Sequence, residues 1–476
     1  MRKIILILAL VVAGCVAGHA QTRKLHIVSA NDMHATIDNM PMLASIVDSL
    51  RAIDNQLLVF SAGDNRTGNP INDLYSIPTY PMTALMNLIG FDASAFGNHE
   101  FDNRQTGLST VLATSNFPYL CCNFKCDPSL NISALPYKIF EVEGVKVGVI
   151  GVVQLGLHGI PDAHPDLLKG MEFEEPETAI RKYVDLLRSQ VNVLILLSHM
   201  GFEDDVELAG KFPSIDVILG GHTHTQLDGG EMHNGVLITQ NVNKLKKVTY
   251  TTINVVDGKV VGKEAKNIDV QNYPQKNEVA QCIVDFFNRN PEFQRVLAEA
   301  ISDFTTYEQL GCLMCDAMIS ESGADLALQN YGGVRYGEKP AGPITVNDVL
   351  KLDPFGNQCV EMTISGEEFK RMLISCYDNS EDLFPFIGGA KCDVIFNKKD
   401  TTKIADLKLY TLDGKKLNLK KKYKVVTNSY VAAICDAPRS DQGQAMGIVC
   451  SDMLMAFLEK MKTVDYGGVT RLNFIK

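Results

Sequence analysis

The hexapeptide Gly97-Asn98-His99-Glu100-Phe101-Asp102 is the stretch that decides how this chain of 476 residues folds. It sets an amide, an imidazole and two carboxylates side by side. Four further groupings of this kind occur, and most of the five follow a short apolar run, where a strand would end and a loop would hold polar groups over a sheet. The other four are Asn31-Asp32-Met33-His34, Gly63-Asp64-Asn65, Ser198-His199-Met200-Gly201 and Gly220-Gly221-His222-Thr223-His224.

The chemistry of these groups predicts a pair of metal ions. Mixed imidazole, carboxylate and amide ligands suit two borderline divalent cations better than one structural zinc. Asp32 and His34 lie two residues apart and can converge on one ion. Asp64 is the natural bridging carboxylate, because two close cations need a shared anion. The remaining expected ligands are Asn98, His199 and His222 for the second ion and His224 for the first. Any one of them alone would be an ordinary polar loop residue, but five motifs together favour metal-assisted hydrolysis, with a phosphate ester as the expected substrate.

Length and charge limit the classes of protein that fit. A chain of 476 residues with 46% hydrophobic residues is too long for one ordinary domain and can bury sizeable cores. The net charge of −11 argues against a nucleic-acid polymer as partner, since binding to a phosphate backbone needs a basic stripe. The one basic cluster, Lys420–Lys424, is predicted to be a solvated strand edge.

The N-terminus predicts export. Met1-Arg2-Lys3 and the apolar run Ile4–Gly14 form a secretory signal over residues 1–20, too short to cross a bilayer. Two processing sites compete. A lipobox-like sequence would leave Cys15 lipidated and the protein anchored to a membrane, whereas Gly18-His19-Ala20 would release a soluble form in the periplasm.

The cysteines give no metal or redox motif. Cys121, Cys122 and Cys126 lack a second cluster of partners, so we expect buried or disulfide-forming side chains. Cys312 and Cys315 form a Cys-x-x-Cys pair inside a stretch with helical spacing. A role in the core is therefore expected for this pair.

Periodicity predicts an α/β catalytic domain over residues 25–275. The clearest predicted strands are Leu25–Val28, Leu57–Phe60, Val145–Val153, Val193–Leu197 and Val217–Leu219. The predicted helices between them are Met42–Ile53, Thr83–Leu88 and Pro176–Ser189. A closing hairpin follows, turning at Asp257-Gly258. An amphipathic linker helix is expected within 276–300, and the composition then changes, which predicts a second domain over 301–476.

Taken together, these motifs resemble the calcineurin-like metallophosphoesterases, and more closely the bacterial 5′-nucleotidase and UDP-sugar hydrolase family. The resemblance implies a four-layer α/β/β/α sandwich with a second α+β domain that binds substrate. It implies that Asp64 is shared by both metals, that zinc, manganese, iron or cobalt can fill the sites, and that a metal-activated water attacks phosphorus. His99 would then contact the phosphoryl group or the leaving group, and Asp102 would hold its tautomer and orientation.

Three segments of the second domain resemble the nucleotide-binding segments of that family. In Asn330-Tyr331-Gly332-Gly333-Val334-Arg335, the resemblance implies that Asn330, Gly333 and Arg335 bind substrate. In Asp353-Pro354-Phe355-Gly356-Asn357 it implies that Phe355 stacks on a base, beside Asn357. In Asn428-Ser429-Tyr430 it implies a second stacking ring from Tyr430, with Asp436 binding the ribose hydroxyls.

Two departures from the family pattern bear on the substrate. The stretch Thr305–Cys312 has no arginine where family members active on nucleoside monophosphates carry one, and Arg439 is a candidate replacement. The segment around Asp436 also lacks the usual glycines. We therefore expect a phosphohydrolase that releases phosphate from nucleotides, with a 2′,3′-cyclic phosphodiesterase or a nucleotide-sugar hydrolase as alternatives. A third alternative is a surface protein that only binds a ligand. The oligomeric state stays open, and the linker helix is the expected hinge.

Overall fold

A computed structural model of the chain describes residues 22–156, 158–379 and 383–475. The expected secretory signal and Cys15 lie outside the described residues. No helix among the described residues is long and apolar enough to span a membrane.

The first half of the chain alternates strands and helices. Its strands are β1 (Thr22–Ala30), β2 (Leu58–Ser61), β3 (Ala93–Ala95), β4 (Tyr119–Leu120), β5 (Phe124–Cys126), β6 (Tyr137–Val142), β7 (Val145–Val153), β8 (Met171–Phe173), β9 (Val193–His199), β10 (Val217–Leu219), β11 (Glu231–His233), β12 (Val236–Thr239), β13 (Lys247–Val256) and β14 (Lys259–Asp269). Its helices are α1 (Met40–Arg51), α2 (Pro70–Asp73), α3 (Tyr80–Ile89), α4 (Arg104–Thr114), α5 (Pro176–Leu187), α6 (Phe202–Lys211) and α7 (Glu278–Phe287). The clearest strands and helices expected from periodicity all form, with ends that differ by a few residues.

Two six-stranded sheets pack face to face in this half. Their strand orders are β14-β13-β1-β2-β3-β4 and β11-β12-β10-β9-β7-β6. Alternate residues of a strand point to opposite faces. In β1, Ile27 enters the core between the sheets, whereas Val28 packs under the helices outside. In β9, Ile195 faces the other sheet and Leu196 faces the helices.

The helices cover the outer faces of both sheets and complete four layers. Residues of α1, α3, α4 and α7 share a core with the first sheet, and residues of α5 and α6 share one with the second. The expected α/β/β/α sandwich is therefore confirmed. Helix α7, the expected linker, packs on this sandwich, where Asn277 donates to the Pro41 carbonyl and to Asp48.

The second half forms a separate α+β unit. Its strands are β15 (Val296–Ala300), β16 (Leu326–Gln329), β17 (Gly342–Thr345), β18 (Gln358–Ser365), β19 (Phe386–Gly388), β20 (Ala390–Phe396), β21 (Ile404–Thr411), β22 (Lys422–Asn428), β23 (Gln444–Val449), β24 (Thr463–Val464) and β25 (Leu472–Ile475). Its helices are α8 (Tyr307–Ser322), α9 (Val346–Leu352), α10 (Gly366–Asp378), α11 (Ser429–Ile434) and α12 (Cys450–Met461). The central sheet has the order β19-β16-β22-β18-β23, and β15 pairs with β17 and β24 of the same unit.

One expectation about this half is wrong. The lysine cluster Lys420–Lys424 leads into β22, which lies inside the central sheet between β16 and β18. Lys420, Lys421 and Lys422 are exposed because they precede or begin the strand, whereas Val425 and Val426 behind them are buried. Clustered charge at one end of a strand therefore did not mark a sheet edge.

The cysteines have the structural role expected of them. Cys312 and Cys315 lie in α8 and are buried, and burial raises the pKa of the Cys312 thiol to about 12. Cys121 and Cys122 are buried and Cys126 is half-buried. None of the cysteines in the described part of the chain forms a disulfide. Cys121, Cys122 and Cys126 were expected to be either buried or joined in disulfides, and the structure shows them as free thiols.

Candidate active site

Strand ends of both sheets meet at one edge of the sandwich. Strands β1, β2 and β3 run parallel, so the loops after them emerge together, and the same holds for β7, β9 and β10 of the second sheet. These loops carry all seven metal ligands expected from the sequence. They are Asp32 and His34 after β1, Asp64 after β2, Asn98 after β3, His199 at the end of β9, and His222 and His224 after β10.

The first group of donors combines residues from both sheets. One oxygen or nitrogen of each of Asp32, His34 and His224 lies within 4.8 Å of the others. His34 Nε2 lies 3.2 Å from His224 Nε2, and His224 Nε2 lies 3.5 Å from Asp32 Oδ1. The Thr67 carbonyl accepts from His34 Nδ1 at 3.0 Å, which leaves the lone pair on Nε2. Two imidazole nitrogens facing each other beside a buried carboxylate suit a shared cation.

The second group centres on Asp64 and His199. Asp32, Asp64 and His199 also have donor atoms within 4.8 Å of one another. The Ala62 carbonyl accepts from His199 Nδ1 at 2.7 Å, so Nε2 points at the carboxylates, 3.3 Å from Asp64 Oδ2. His199 Nε2 is buried and has no well-aligned hydrogen-bond partner among the described residues. A backbone carbonyl that fixes one ring nitrogen while the other stays open is the usual arrangement of a metal-binding histidine.

Asn98 and His222 adjoin the second group. His222 Nδ1 lies 3.1 Å from Asn98 Oδ1, and the Asn98 amide donates to the Asp162 carbonyl at 3.1 Å. That bond turns the amide oxygen of Asn98 towards His222. The His222 backbone N–H also donates to the carboxylate of Asp32, which ties the two sheets together at this edge.

The backbone at this edge is strained. Five of the seven expected ligands, Asp32, His34, Asp64, His222 and His224, have positive φ, between 44° and 81°. Such conformations are uncommon for residues other than glycine and cluster at functional sites. Gly63, with φ of 97°, has no room for a side chain, because a Cβ would lie 2.6 Å from the Gly97 nitrogen.

Burial and charge set the protonation of the donors. Burial alone would lower the pKa of His199, but the carboxylates of Asp64 and Asp32 raise it to about 10. Burial and the guanidinium of Arg335 hold the pKa of His34 well below its usual range. Although burial opposes it, nearby histidines keep the pKa of Asp32 and that of Asp64 below the usual value. The two carboxylates are therefore ionised and His34 is neutral, as metal binding requires, whereas His199 would have to release the proton that these carboxylates favour before it bound an ion.

His99 and Asp102 form a hydrogen-bonded pair beside these donors. His99 Nδ1 lies 2.8 Å from Asp102 Oδ2, which also accepts from the Thr67 hydroxyl at 2.7 Å. The His99 backbone N–H donates to Asp64 Oδ1, and His99 Nε2 lies 3.9 Å from Asp64 Oδ2. Asp102 thus fixes the ring so that Nε2 faces the centre. One ring nitrogen of His99 also lies within 4.8 Å of donor atoms on His34 and Asp64.

Glu100 links two of the loops instead of facing substrate. Its carboxylate accepts from the backbone N–H groups of Asp64, Asn65 and Gly97. Burial and the Asp64 carboxylate raise the pKa of Glu100 to about 7. The supporting role expected for this residue agrees with its position.

The second half of the chain contributes Arg335. The Arg335 Nη2 atom lies 3.2 Å from His34 Nε2, and its guanidinium lies over the Phe355 ring at 5.6 Å. Lys244 of the first half donates to the Arg335 carbonyl at 2.9 Å, which holds the backbone in place. A planar, charged donor therefore lies directly against the seven expected ligands at the strand ends, which together form the metal-ligand cluster.

A chamber of about 310 Å³ opens between the two halves and brings most predicted substrate residues together. Its walls include Asn330, Gly333, Arg335, Phe355, Asn357 and Tyr430, together with Asp64, Asn98, His99, Asp102, His222 and His224. The side chains that face it are oriented by neighbours. Asn428 donates to Asn330 Oδ1 at 2.9 Å, and Ser429 donates to Asn357 Oδ1 at 3.2 Å. The Phe355 ring stacks against His99, with 5.8 Å between ring centroids.

Two other residues lie elsewhere. Asp436 does not line this chamber; its largely exposed carboxylate lies 3.7 Å from His158 Nε2. Arg439 does not replace the missing arginine, because its guanidinium donates to the carbonyls of Cys435 and Ala432 around the end of α11. Loss of the glycines around Asp436 fits a segment that turns away from the chamber.

Sequence reasoning did not single out several chamber residues. Tyr307 and Tyr331 line the wall and stack on each other, with 5.1 Å between centroids. Tyr307 falls in the stretch Thr305–Cys312, and its lack of the family arginine is the sequence signal that points to this part of the wall. Asp162, Asn243 and Asn379 also line the chamber, but they come from loops and a helix end without a motif.

This donor set at the strand ends of a four-layer sandwich defines a calcineurin-like metallophosphoesterase. The calcineurin-like phosphoesterase family matches residues 25–226, and the 5′-nucleotidase C-terminal domain family matches residues 296–437. The chain therefore combines a calcineurin-like phosphoesterase domain with a 5′-nucleotidase C-terminal domain, and it is a metal-dependent phosphoric ester hydrolase with two divalent metal ions.

Individual relatives support this assignment. The chain is 28% identical to the 5′-nucleotidase of Vibrio cholerae, over 95% of this chain and 94% of that protein. It is 26% identical to the trifunctional nucleotide phosphoesterase protein YfkN of Bacillus subtilis, over 92% of this chain, and spans only 34% of that longer protein. Among solved structures, a 5′-nucleotidase precursor from Thermus thermophilus superposes with a TM-score of 0.84 at 25% identity, covering 95% of this chain and all of that one.

Proposed function

We propose that this protein is a two-metal phosphohydrolase that releases phosphate from nucleoside monophosphates. The observation that carries the proposal is the chamber in which the guanidinium of Arg335 and the ring of Phe355 face the metal-ligand cluster from the other half of the chain. The guanidinium of Arg335 suits a phosphate, and the ring of Phe355 suits a planar base. The names of the relatives point to the same class of substrate.

The donor set fits two cations. Asp32, His34 and His224 would hold one ion, Asn98, His199 and His222 the other, and Asp64 would bridge them. The buried His199 Nε2, which has no well-aligned hydrogen-bond partner among the described residues and faces the carboxylate of Asp64, supports this assignment. When bound, two divalent ions lower the pKa of an attacking water and offset charge on the transferring phosphoryl group.

Arg335 would bind the phosphate. A guanidinium 3.2 Å from His34 would repel any cation held by that histidine, unless an anion lies between them. A phosphate group satisfies both sides, because arginine donates two parallel hydrogen bonds to it. Binding of substrate would therefore stabilise the contact between the two halves of the chain.

His99 would act on the reacting groups. With Nδ1 held by Asp102, its Nε2 can donate to a phosphoryl oxygen or give a proton to the departing ribose oxygen. Asp102 is a positioning residue in this scheme, since it reaches the substrate only through the ring. Its hydrogen bond from Thr67 keeps the carboxylate in the orientation that His99 needs.

The nucleoside would occupy the side of the chamber formed by the second half. Phe355 and Tyr430 both line it, and a base between them would gain about 1–3 kcal/mol from each stacked ring. Asn330 and Asn357, held by Asn428 and Ser429, offer amide groups for base or ribose edges. Asp436 lies outside the chamber, so its carboxylate would not reach the ribose hydroxyls of a nucleoside bound there.

The proposal is tested by phosphate release from AMP. Purified protein is stripped with chelator and assayed with manganese, zinc, cobalt or no metal, beside a His99→Ala variant. Metal-dependent release that is lost in the variant supports the proposal. Absence of release with every metal would instead support a surface protein that only binds its ligand.

A second candidate is favoured by Tyr307. At the stretch where monophosphate-specific family members carry an arginine, this chain lines the chamber with an uncharged tyrosine. A 2′,3′-cyclic phosphate or a nucleotide sugar carries less charge on its reacting phosphate than a monoester and needs fewer cationic groups. Turnover of these diesters without turnover of AMP would select this candidate.

We also propose that the protein acts outside the cytoplasm, either free in the periplasm or anchored through a lipid on Cys15. The N-terminal charge and apolar run support export. Mass spectrometry of the mature N-terminus separates the two forms, because only the anchored one begins with a lipidated cysteine.

A further inference from the structure

Two cysteines of the second half of the chain lie in contact with each other. Cys359 lies in β18, and Cys450 begins α12, 91 residues further along the chain. Their Sγ atoms lie 3.3 Å apart. Both side chains are buried in one core of this half. The fold therefore brings two thiols from distant segments together in one place.

This pair adjoins a wall of the chamber. Cys359 follows Asn357 by two residues, and the Cys450 backbone N–H donates to the Asn357 carbonyl at 2.8 Å. Asn357 lines the chamber together with Phe355 of the same turn. One hydrogen bond thus already docks this turn on the start of α12. A covalent bond between the two sulfurs would make that attachment permanent.

A structural metal ion does not suit the pair. The Met453 Sδ atom lies 3.3 Å from Cys359 Sγ, so three sulfur atoms meet here. A structural zinc ion takes four ligands from cysteine, histidine or acidic side chains. Among the described residues, every group of three such side chains with donor atoms in reach of one another lies at the metal-ligand cluster. A bond between the two cysteines needs no further ligand.

The folded pair is closed to reagents. The hydrogen bond with the Cys359 thiol and burial raise the pKa of the Cys450 thiol well above its usual value. Because the thiolate is the reactive form, this thiol is unreactive in the folded protein. Oxidation therefore belongs to folding, before α12 covers β18. Once formed, a disulfide at this place would be protected from reductants by the same burial.

We propose that Cys359 and Cys450 form a disulfide when the chain folds in an oxidising compartment, and that this bond fastens the turn of Phe355 and Asn357 to α12. The proposal goes beyond the phosphohydrolase reaction and rests on the proposed location outside the cytoplasm. Disulfides persist in such compartments, and a bond that closes a long stretch of chain stabilises the fold by restricting the unfolded state.

The oxidant is a second disulfide, carried by a protein or by a small molecule. One cysteine thiolate attacks that disulfide, breaks its S–S bond and forms a mixed disulfide. The other cysteine thiolate then attacks the mixed disulfide and closes the bond between Cys359 and Cys450. The two cysteines lose two electrons and two protons, and the oxidant leaves as two thiols.

Peptide mapping of the full chain tests the pairing. Reduced protein is refolded in a glutathione redox buffer, free thiols are blocked with N-ethylmaleimide, and the protein is digested without reductant. We expect one linked pair of peptides, which contains Cys359 and Cys450, and blocked thiols at the other described cysteines. Blocked thiols at both positions, or a bond from either to another cysteine, would overturn the proposal. Thiols that resist blocking until a copper(I) chelator is added would overturn it in favour of a soft metal ion held with Met453.

The same map of protein taken from cells, with thiols blocked before lysis, gives a measurement that does not depend on refolding. A bond between the two cysteines in cells supports the proposal. A bond after refolding and none in cells would overturn the proposed location and leave the pairing intact. Phosphate release plays no part in either map, so failure of the proposed function leaves these results unchanged.

A melting experiment measures the effect of the bond on stability. Oxidised, metal-free protein is heated with and without dithiothreitol, beside Cys359→Ala and the control Cys392→Ala, which removes a buried thiol from another core of the same half. Because the bond closes a stretch of 91 residues, we expect reductant to lower Tm by about 5–10 °C in wild type and in the control. We expect no such shift in Cys359→Ala. An equal shift in all three proteins would contradict a stabilising disulfide.

Amide hydrogen exchange tests the attachment of the turn. The Cys450 N–H is bonded to the Asn357 carbonyl, so its exchange requires the turn to leave α12. We expect this amide to exchange about tenfold more slowly in oxidised than in reduced wild type, and at one rate under both conditions in Cys359→Ala. Equal rates in oxidised and reduced wild type would overturn the proposed effect on the turn.

Discussion

The Arg335 Nη2 atom lies 3.2 Å from His34 Nε2, although 301 residues separate the two in sequence. This contact joins the metal-ligand cluster of the sandwich to the turn of the second unit that carries Arg335. It brings a permanent positive charge to the place where the sequence predicts a cation. The burial of His34 and the charge of Arg335 keep the imidazole neutral, which preserves it as a ligand.

Replacing Arg335 by alanine should raise KM for AMP by about tenfold to a hundredfold, because a hydrogen bond to a charged group contributes about 1.5–3 kcal/mol. Steady-state kinetics on AMP measure the effect. Arg439→Ala is the matched control, since that guanidinium is bonded to backbone carbonyls of its own segment. A rise of KM in the control and none in Arg335→Ala would contradict the assignment.

Replacing His99 by alanine should lower kcat by about 100- to 10,000-fold, the range of general acid–base catalysis. Asp102→Asn should lower kcat less and alter the pH dependence of kcat, because Asp102 acts through the ring that it holds at 2.8 Å. His233→Ala is the control, because His233 lies on β11 and does not line the chamber.

The metal content of the His99→Ala variant decides how its loss is interpreted. A full complement of metal by elemental analysis would support a role in catalysis. Loss of one metal ion would instead make His99 a ligand, a role that its position among donors of His34 and Asp64 also allows.

Replacing Asp64 by alanine should remove more metal than replacing His224, because Asp64 lies in two of the donor groups and His224 in one. Elemental analysis after dialysis measures the ions per chain. We also expect chelator to lower the Tm of the wild type and to leave that of Asp64→Ala nearly unchanged, since a ligand that binds only the folded state raises Tm. Equal metal loss in both variants would contradict a bridging role for Asp64.

The sequence was sufficient to predict the sandwich and to place the seven candidate metal ligands at its strand ends, because both depend on local patterns. Alternation in β1 separates Ile27 from Val28 onto two faces, and the ligands follow directly where such strands end. Parallel strands then bring their ends together whatever the loops contain.

The rest depends on contacts between distant segments. Phe355 and Tyr430 could be assigned to a nucleotide site because their short motifs match a family pattern. The packing of the two halves brings Asp162, Tyr331 and Asn379 to the same chamber as Phe355 and Tyr430. No local spacing in the sequence predicts that packing. The prediction of a strand edge at Lys420–Lys424 failed for the same reason, because the order of strands in a sheet is set by the whole unit.

Glu368 gives a prediction about stability that does not depend on the metals. It closes a capping box at the start of α10, accepting from the Ser365 backbone N–H and hydroxyl at 2.7 Å and from the Ser440 backbone N–H. These bonds, led by the one from the Ser365 backbone, lower the pKa of Glu368 to about 2 from an ordinary value of 4.5. The ionised carboxylate therefore stabilises the folded state, and Glu368→Gln should destabilise it by about 1 kcal/mol at pH 7.

The sign of the pH dependence follows from the lowered pKa. The stabilisation is fully present above pH 4.5 and is lost as the pH falls from 4.5 through about 2, where the folded-state carboxyl takes up its proton. Calorimetry of metal-free protein should therefore show a lower Tm for Glu368→Gln than for wild type at pH 7, and a smaller difference at pH 3. Glu367→Gln, exposed in the same first turn, should show neither effect. A difference between Glu368→Gln and wild type that stays constant between pH 7 and pH 3 would mean that packing, not charge, explains the loss.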